Sequence, residues 1–529
     1  MKLSGIGEAH IPITTKSPEA QQWFDQGLAL LHCFWDYEAL RAFEEATRLD
    51  PDCAMCHWGL AQAVSFRGGA EDQSKAEIKK ASELAKNATD LEQRYIRADA
   101  ESLEKKGEEG DKPYRKEMEA LIDRYPKDVD AKLLLALHVG AGYDSKGDPR
   151  PGAMYEQALL RDILHDYPDN AAANHYWIHA MEVSGHPEWA IESAVKLGKL
   201  APASGHMVHM PGHIFYRVGD YERARVIFLS ALRVDRDYMD SQHVAPINDW
   251  NYSHNLSYLI ANCAEEGKYK EAREHARALQ GLANDPDRTS NPYFYVLQIG
   301  STEERLAIRF GDWDQAIEHR MNFGVPDDKL SVWARAYRDG LVEYARGMKA
   351  AETGDEAGAD THSKGLDALL WRLSQEKVED KVKSQLNRVQ TILATASLEL
   401  RGNIETHGGN FESGRKLLEQ ADEDEKELGY SEPPQYSRPP MEVLGAACIR
   451  AGKYGEARDA YGKALAERPK SGFALYGIAL AWDKQGDREQ AAKAYREFLD
   501  AWSNADADLA QVKAARAYLA SSTAERVSR

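Results

Sequence analysis

Eight of the 17 histidines lie between His175 and His254, and their spacing carries more information than their number. The interval from His175 to His209 is the same as that from His179 to His213. Within a helix, His175/His179 and His209/His213 are each four residues apart, which puts both imidazoles on one face about 5–6 Å apart at Cβ. Imidazole nitrogens bind divalent transition metals, so this set suits one or two ions. Zn, Fe and Cu all accept it, and it does not select among them. Glu182 follows His179 by three residues and shares its face, as a further ligand or a general base. His254 completes the candidate site, and with Glu182 it forms the candidate catalytic pair. His206, one turn before His209, and Asp249 are secondary candidates. Arg217, four residues after His213, would repel a cation but could hold a substrate carboxylate or phosphate. The plainer chemistry of the same residues is a polar groove whose imidazoles hydrogen-bond to neighbours or to a bound peptide.

A helical repeat must position these side chains. The interval between the histidine pairs is about 34 residues, the length of one tetratricopeptide repeat. The same interval separates Ala190 from Ala224 and Pro168 from Pro202. It also carries Ala457, Tyr461 and Ala464 onto Ala491, Tyr495 and Phe498. Trp23, Gly27, Ala39, Phe43, Ala46 and Pro51 stand at the spacings of a tetratricopeptide repeat. Small Ala lets two helices approach, an aromatic ring fills the gap, and Pro stops the second helix. Phrases such as Val218-Gly219-Asp220-Tyr221, Gly267-Lys268-Tyr269, Gly452-Lys453-Tyr454 and Gln485-Gly486-Asp487 separate helix A from helix B. In that frame the four histidines occupy two equivalent positions on successive A helices, on the surface that such arrays make concave. His254 falls early in the next repeat. Packed helices lie about 8–10 Å apart, so four imidazoles could reach one ion at about 2.0–2.1 Å. Strand signals are almost absent. The expected fold is all-α, a superhelix of helix-turn-helix repeats of the tetratricopeptide α-solenoid type, with helix content far above the roughly one-third of average globular proteins.

The frame is interrupted, and the interruptions divide the chain. Residues 1–65 read as N-terminal repeat units and 66–112 as an inserted helical pair, Lys75–Lys86 and Asp90–Lys106. Residues 113–285 are central repeats carrying the histidine cluster, and 286–431 further helical repeats. After the Pro-rich Glu432–Pro440 linker, 432–529 hold a C-terminal repeat pair and a capping helix. Asp144–Pro151 lengthens one turn, since Pro126 stands further from Pro168 than Pro168 does from Pro202, and Tyr238–Tyr252 is a third insertion. Insertions on one face of a solenoid often carry function.

Composition removes several classes of function. Over 529 residues, Lys+Arg 67 against Asp+Glu 86 gives a net charge of −19, which disfavours nucleic acid and anionic lipid as partners. Mean hydropathy is −0.60 and no apolar run is long enough to span a bilayer, so no membrane is expected. Five cysteines make no disulfide framework, and the odd count leaves at least one thiol free. No apolar stretch follows Met1, which makes the cytoplasm the expected location, with an exported chain whose signal has been removed as the alternative.

The stretch Thr14-Thr15-Lys16-Ser17-Pro18-Glu19-Ala20-Gln21 continues through Phe24-Asp25-Gln26-Gly27-Leu28, Phe34-Trp35-Asp36-Tyr37-Glu38-Ala39 and Leu49-Asp50-Pro51-Asp52-Cys53-Ala54-Met55. With His209-Met210-Pro211-Gly212-His213-Ile214-Phe215 and Glu432-Pro433-Pro434, it resembles a widespread bacterial family of large tetratricopeptide-repeat proteins over most of the chain. The resemblance implies the fold and no particular reaction. That family often has a histidine in the stretch occupied here by Phe34–Tyr37, so this chain has no ligand there.

Other motifs point to packing. Cys53-Ala54-Met55-Cys56-His57 has the c-type haem spacing, yet it sits where one repeat meets the next, and no strand precedes it as a redox CxxC would need. Phe34-Trp35-Asp36-Tyr37 and Tyr293, Phe294 and Tyr295 read as packing. Two functions remain. One is a metal-dependent hydrolase or oxidoreductase acting on a small molecule, with metal at His175, His179, His209 and His213, Glu182 and His254 catalytic, and Arg217 binding substrate. The other is a non-catalytic scaffold that takes a peptide or protein in its groove.

Overall fold

The Ser17 hydroxyl accepts from the Ala20 N–H and Pro18 fills the first helical position, so the first helix, Pro18–His32, starts where its cap dictates. Similar caps recur: Asp128 accepts from Ala131 N–H ahead of Val129–Val139, and Asn170 from Ala173 N–H ahead of Ala171–Glu182. The computed structural model describes residues 2–527 apart from 69, 104–107, 145–146, 283–300 and 319–329; the run Tyr293–Tyr295 lies outside them. Among the described residues helix follows helix, and most pack on a neighbour in sequence, as Pro18–His32 does on Asp36–Leu49 and Asp380–His407 on Phe411–Glu427. Among the described residues there is no strand, and the isolated bridge between Tyr143 and Pro149 closes a turn. The chain divides into two compact units, Met1–Phe215 with Ile227–Asn251, and Tyr216–Val226 with Tyr252–Arg529.

In the first unit Pro18–His32 pairs with Asp36–Leu49, and Ala54–Arg67 with Glu71–Leu84. The Phe43 ring enters between the first and third of these helices where both carry glycine. A Cβ on Gly27 would stand 2.8 Å from that ring, and one on Gly59 2.3 Å from it, so any side chain there would force the helices apart. Phe228 stands in the same relation to Gly212. The inserted region holds helices Glu71–Leu84 and Asp90–Leu103. Cys53 and Cys56 are joined as a disulfide and both are buried, while Cys33, Cys263 and Cys448 are buried free thiols. Both His57 nitrogens are engaged as well, Nδ1 with Glu77 at 2.6 Å and Nε2 with the Pro51 carbonyl at 3.1 Å. The CxxCH stretch is therefore a closed packing element in this structure.

The second unit repeats the device. Tyr461, from Tyr454–Glu467, enters between Gly445 of Pro440–Arg450 and Gly477 of Gly472–Gln485, where a Cβ would come within 2.6 Å and 2.2 Å of its ring. Its interior also holds an ionic cluster. Buried Arg309 donates to Glu265 at 3.0 and 3.1 Å and to Glu442 at 2.6 and 3.1 Å. Arg468 donates to Glu265 at 3.1 Å, and Ser471 Oγ donates to the same carboxylate at 2.6 Å. With both partners hydrogen-bonded the buried charges are compensated.

Candidate metal centre

Helix Ala171–Glu182 carries His175 and His179 one turn apart, and helix Gly205–Arg217 carries His206, His209 and His213. His175, His206, His209 and His213 are buried and His179 is half-buried. Three Nε2 atoms come together: His175 Nε2 lies 3.1 Å from His179 Nε2 and 3.0 Å from His206 Nε2. The donor atoms of these three residues all lie within 4.8 Å of one another.

The opposite nitrogen of each ring faces an acceptor. His175 Nδ1 donates to the carbonyl of His32 at 2.7 Å. His179 Nδ1 donates to Glu182 Oε1 at 2.6 Å, and His206 Nδ1 to Asn251 Oδ1 at 3.1 Å. Asn251 cannot present its amide nitrogen there, because that nitrogen donates to both oxygens of Asp235 at 3.1 and 3.0 Å, and a carboxylate only accepts. Asp235 comes this close because residue 205 is glycine; a Cβ there would meet its Oδ1 at 1.5 Å. His32 is tied in turn, Nδ1 to Tyr176 Oη and Nε2 to Asp130 Oδ1, both at 2.9 Å.

Glu182 stands between two imidazoles, with Oε1 on His179 and Oε2 on His213 Nδ1. Burial alone would raise its carboxyl; His213 and His179 hold it well below the usual carboxylate range. Burial, helped by His179, pushes His175 well below the ordinary histidine value, and burial lowers His213 against the pull of Glu182. His175 is therefore neutral and able to act as a ligand. His209 and His213 meet through their own Nε2 atoms at 2.6 Å, so the structure joins them as a pair and places His206, rather than either of them, against His175.

Phe34 packs its ring against the three converging imidazoles, with centroids 4.6 Å from His175, 5.3 Å from His179 and 5.7 Å from His206. Its φ of 55° is the left-handed conformation that a bulky residue rarely adopts. The Trp250 indole donates to its carbonyl at 3.3 Å.

His254 and Arg217 belong to the second unit. There His254 Nε2 lies 3.7 Å from Glu432 and its ring is edge-on to Tyr258, while the Arg217 guanidinium sits 5.9 Å over the Tyr430 ring. His206, a secondary candidate in the sequence as the histidine one turn before His209, is the one whose Nε2 meets His175. No local pattern in the sequence marks Asn251, Asp235 or the His32 carbonyl as partners of these rings.

A family model described as tetratricopeptide repeat matches residues 444–506, the segment in which Tyr461 sits between Gly445 and Gly477. No curated protein matches the chain. Among solved structures it is similar to the crystal structure of the APC/C hetero-tetramer Cut9-Hcn1, at 15% identity over 94% of this chain and 76% of that one, TM-score 0.33. It is also similar to yeast Tom70, at 15% identity over 96% of each chain, TM-score 0.30. At TM-scores this low neither likeness bears on function. No described helix is long and apolar enough to cross a membrane.

Proposed function

We propose that this tetratricopeptide-repeat protein is an interaction scaffold that takes a peptide or protein segment along the inner faces of its A helices. The repeat match at 444–506, continued by helix pairs with the same glycine–aromatic packing in both units, carries this reading. Stacked helix pairs create an extended surface suited to a chain-like ligand. In this reading Arg217 pairs with a carboxylate or phosphate of the ligand. Selection of a random peptide library on the full-length chain, followed by titration of the winners, tests it. Binding that weakens at least tenfold in Arg217→Ala is expected, and a library that yields no binder overturns it.

The meeting of His175, His179 and His206 Nε2 atoms favours a second reading, a divalent transition metal (Zn, Fe or Cu) held in the first unit. An ion with an open position would activate water or dioxygen toward a small-molecule substrate, with Glu182 as the candidate proton-handling group of that unit; the other candidate, His254, lies in the second unit. His209 and His213 remain candidate ligands in this reading. Metal analysis of tag-free protein tests it: about one equivalent supports it, and none ends it.

A further inference from the structure

Resting on the second reading above, we infer that the ion's protein ligands are His175, His179 and His206, bound through Nε2 as a neutral three-nitrogen set. The His32 carbonyl, Glu182 and the Asn251–Asp235 pair orient that set.

The first argument is distance. Two nitrogens bound to one ion at about 2.0–2.1 Å stand about 2.8–3.4 Å apart for angles at the metal between roughly 90° and 110°. The two separations from His175, 3.1 and 3.0 Å, fall inside that window, and the donor atoms of His179 and His206 lie within 4.8 Å of each other.

The second argument is proton placement. A backbone carbonyl, a carboxylate and an amide oxygen locked by Asp235 can only accept, so each Nδ1 carries a proton. With Nδ1 protonated, a neutral ring presents an Nε2 lone pair, and lone pairs turned toward one another repel unless a metal ion or an added proton lies between them. Metal-bound histidines characteristically donate their other N–H to a carboxylate or carbonyl, which fixes the tautomer and the ring. The His–Glu182 and His–carbonyl contacts have that form. Phe34, held in a strained conformation against all three rings, covers part of the cluster, and such strain gathers at functional sites. Three imidazoles with no oxygen donor suit Zn, Fe or Cu and not Mg or Ca.

The rival occupant is a single extra proton shared between imidazoles. The test uses the full-length, tag-free chain stripped with chelator, titrated with Co2+ and read by its visible absorption, with Zn2+ as competitor. The wild type is expected to bind about one equivalent. His206→Gln should lose the absorption with helicity unchanged, while His209→Gln keeps it. Asn251→Leu, which leaves the three ligands in place, should bind about 10–100-fold more weakly, and it carries the test if His206→Gln fails to fold. No Co2+ or Zn2+ binding by the wild type leaves the shared proton and overturns both this inference and the metal reading. Binding lost in His209→Gln and kept in His206→Gln overturns only the ligand set.

Discussion

Glu182 and Gly59 show how much a single position carries. The Glu182 carboxylate is buried between His179 and His213 and accepts from both. In Glu182→Gln one of those N–H groups faces an amide NH2 instead of an oxygen. Leaving one buried donor unsatisfied costs about 1–3 kcal/mol, so a lower melting temperature is expected, together with weaker Co2+ binding because His179 loses its orienting partner. Gly59 has a different duty. Its missing Cβ admits the Phe43 ring, and Gly59→Ala should cost about 1–3 kcal/mol through overpacking. Gly462 is the control, since it lies in helix Tyr454–Glu467 with nothing within 4 Å of an added Cβ. Gly462→Ala should stabilise by about 0.5–1 kcal/mol through helix entropy. Denaturant melts of the two glycine variants should shift in opposite directions, and a common direction would refute the packing argument.

At the scale of helices, the second unit is tied by charges from four different elements. Burial alone would raise the Glu265 carboxyl, but Arg309 and Arg468 bring it down to about 2 from an ordinary 4.5. A folded value below the unfolded one means the stabilisation is complete above about pH 4.5 and is lost as pH falls toward about 2. Glu265→Gln takes the carboxylate from Arg468 and leaves Arg309 with Glu442 alone, so one buried positive charge goes uncompensated at a cost of about 3–5 kcal/mol, and the variant should no longer show this acid-dependent loss. Glu304 behaves oppositely. Its carboxyl oxygens are buried with no hydrogen-bond partner, and burial raises it to about 8. Its neutral form is the one the fold accepts, so stability falls as pH rises from about 4.5 through about 8. Glu304→Gln should match the wild type near about pH 4 and melt higher near about pH 9. Equal melting at the higher pH would show that the carboxyl is solvated.

For the molecule as a whole, two compact units predict unfolding that is not two-state. Calorimetry should resolve a transition lowered by Gly59→Ala and another lowered by Glu265→Gln; one transition shifted equally by both variants would argue for a single cooperative unit. The far-ultraviolet spectrum should be dominated by helix, and one dominated by strand would refute the fold class. The repeat, the all-α class and the aromatic wedges Phe43 and Tyr461 were legible in the sequence, because helix pairing depends on near neighbours at a constant period; of their glycine seats only Gly27 was. Phe43 against Gly27 and Tyr461 against Gly445 are contacts of that kind. The histidine faces were legible for the same reason, since an i, i+4 spacing sets the direction of Cβ. Which nitrogen of each ring points where was not. His175 is oriented by a carbonyl 143 residues away and His206 by Asn251, 45 residues on. The Glu265–Arg309–Glu442–Arg468 cluster likewise joins residues up to 203 apart. Periodicity decides the face a side chain leaves from. Its tautomer, its partner and its charge are decided by acceptors and donors that only the folded chain brings within hydrogen-bond distance.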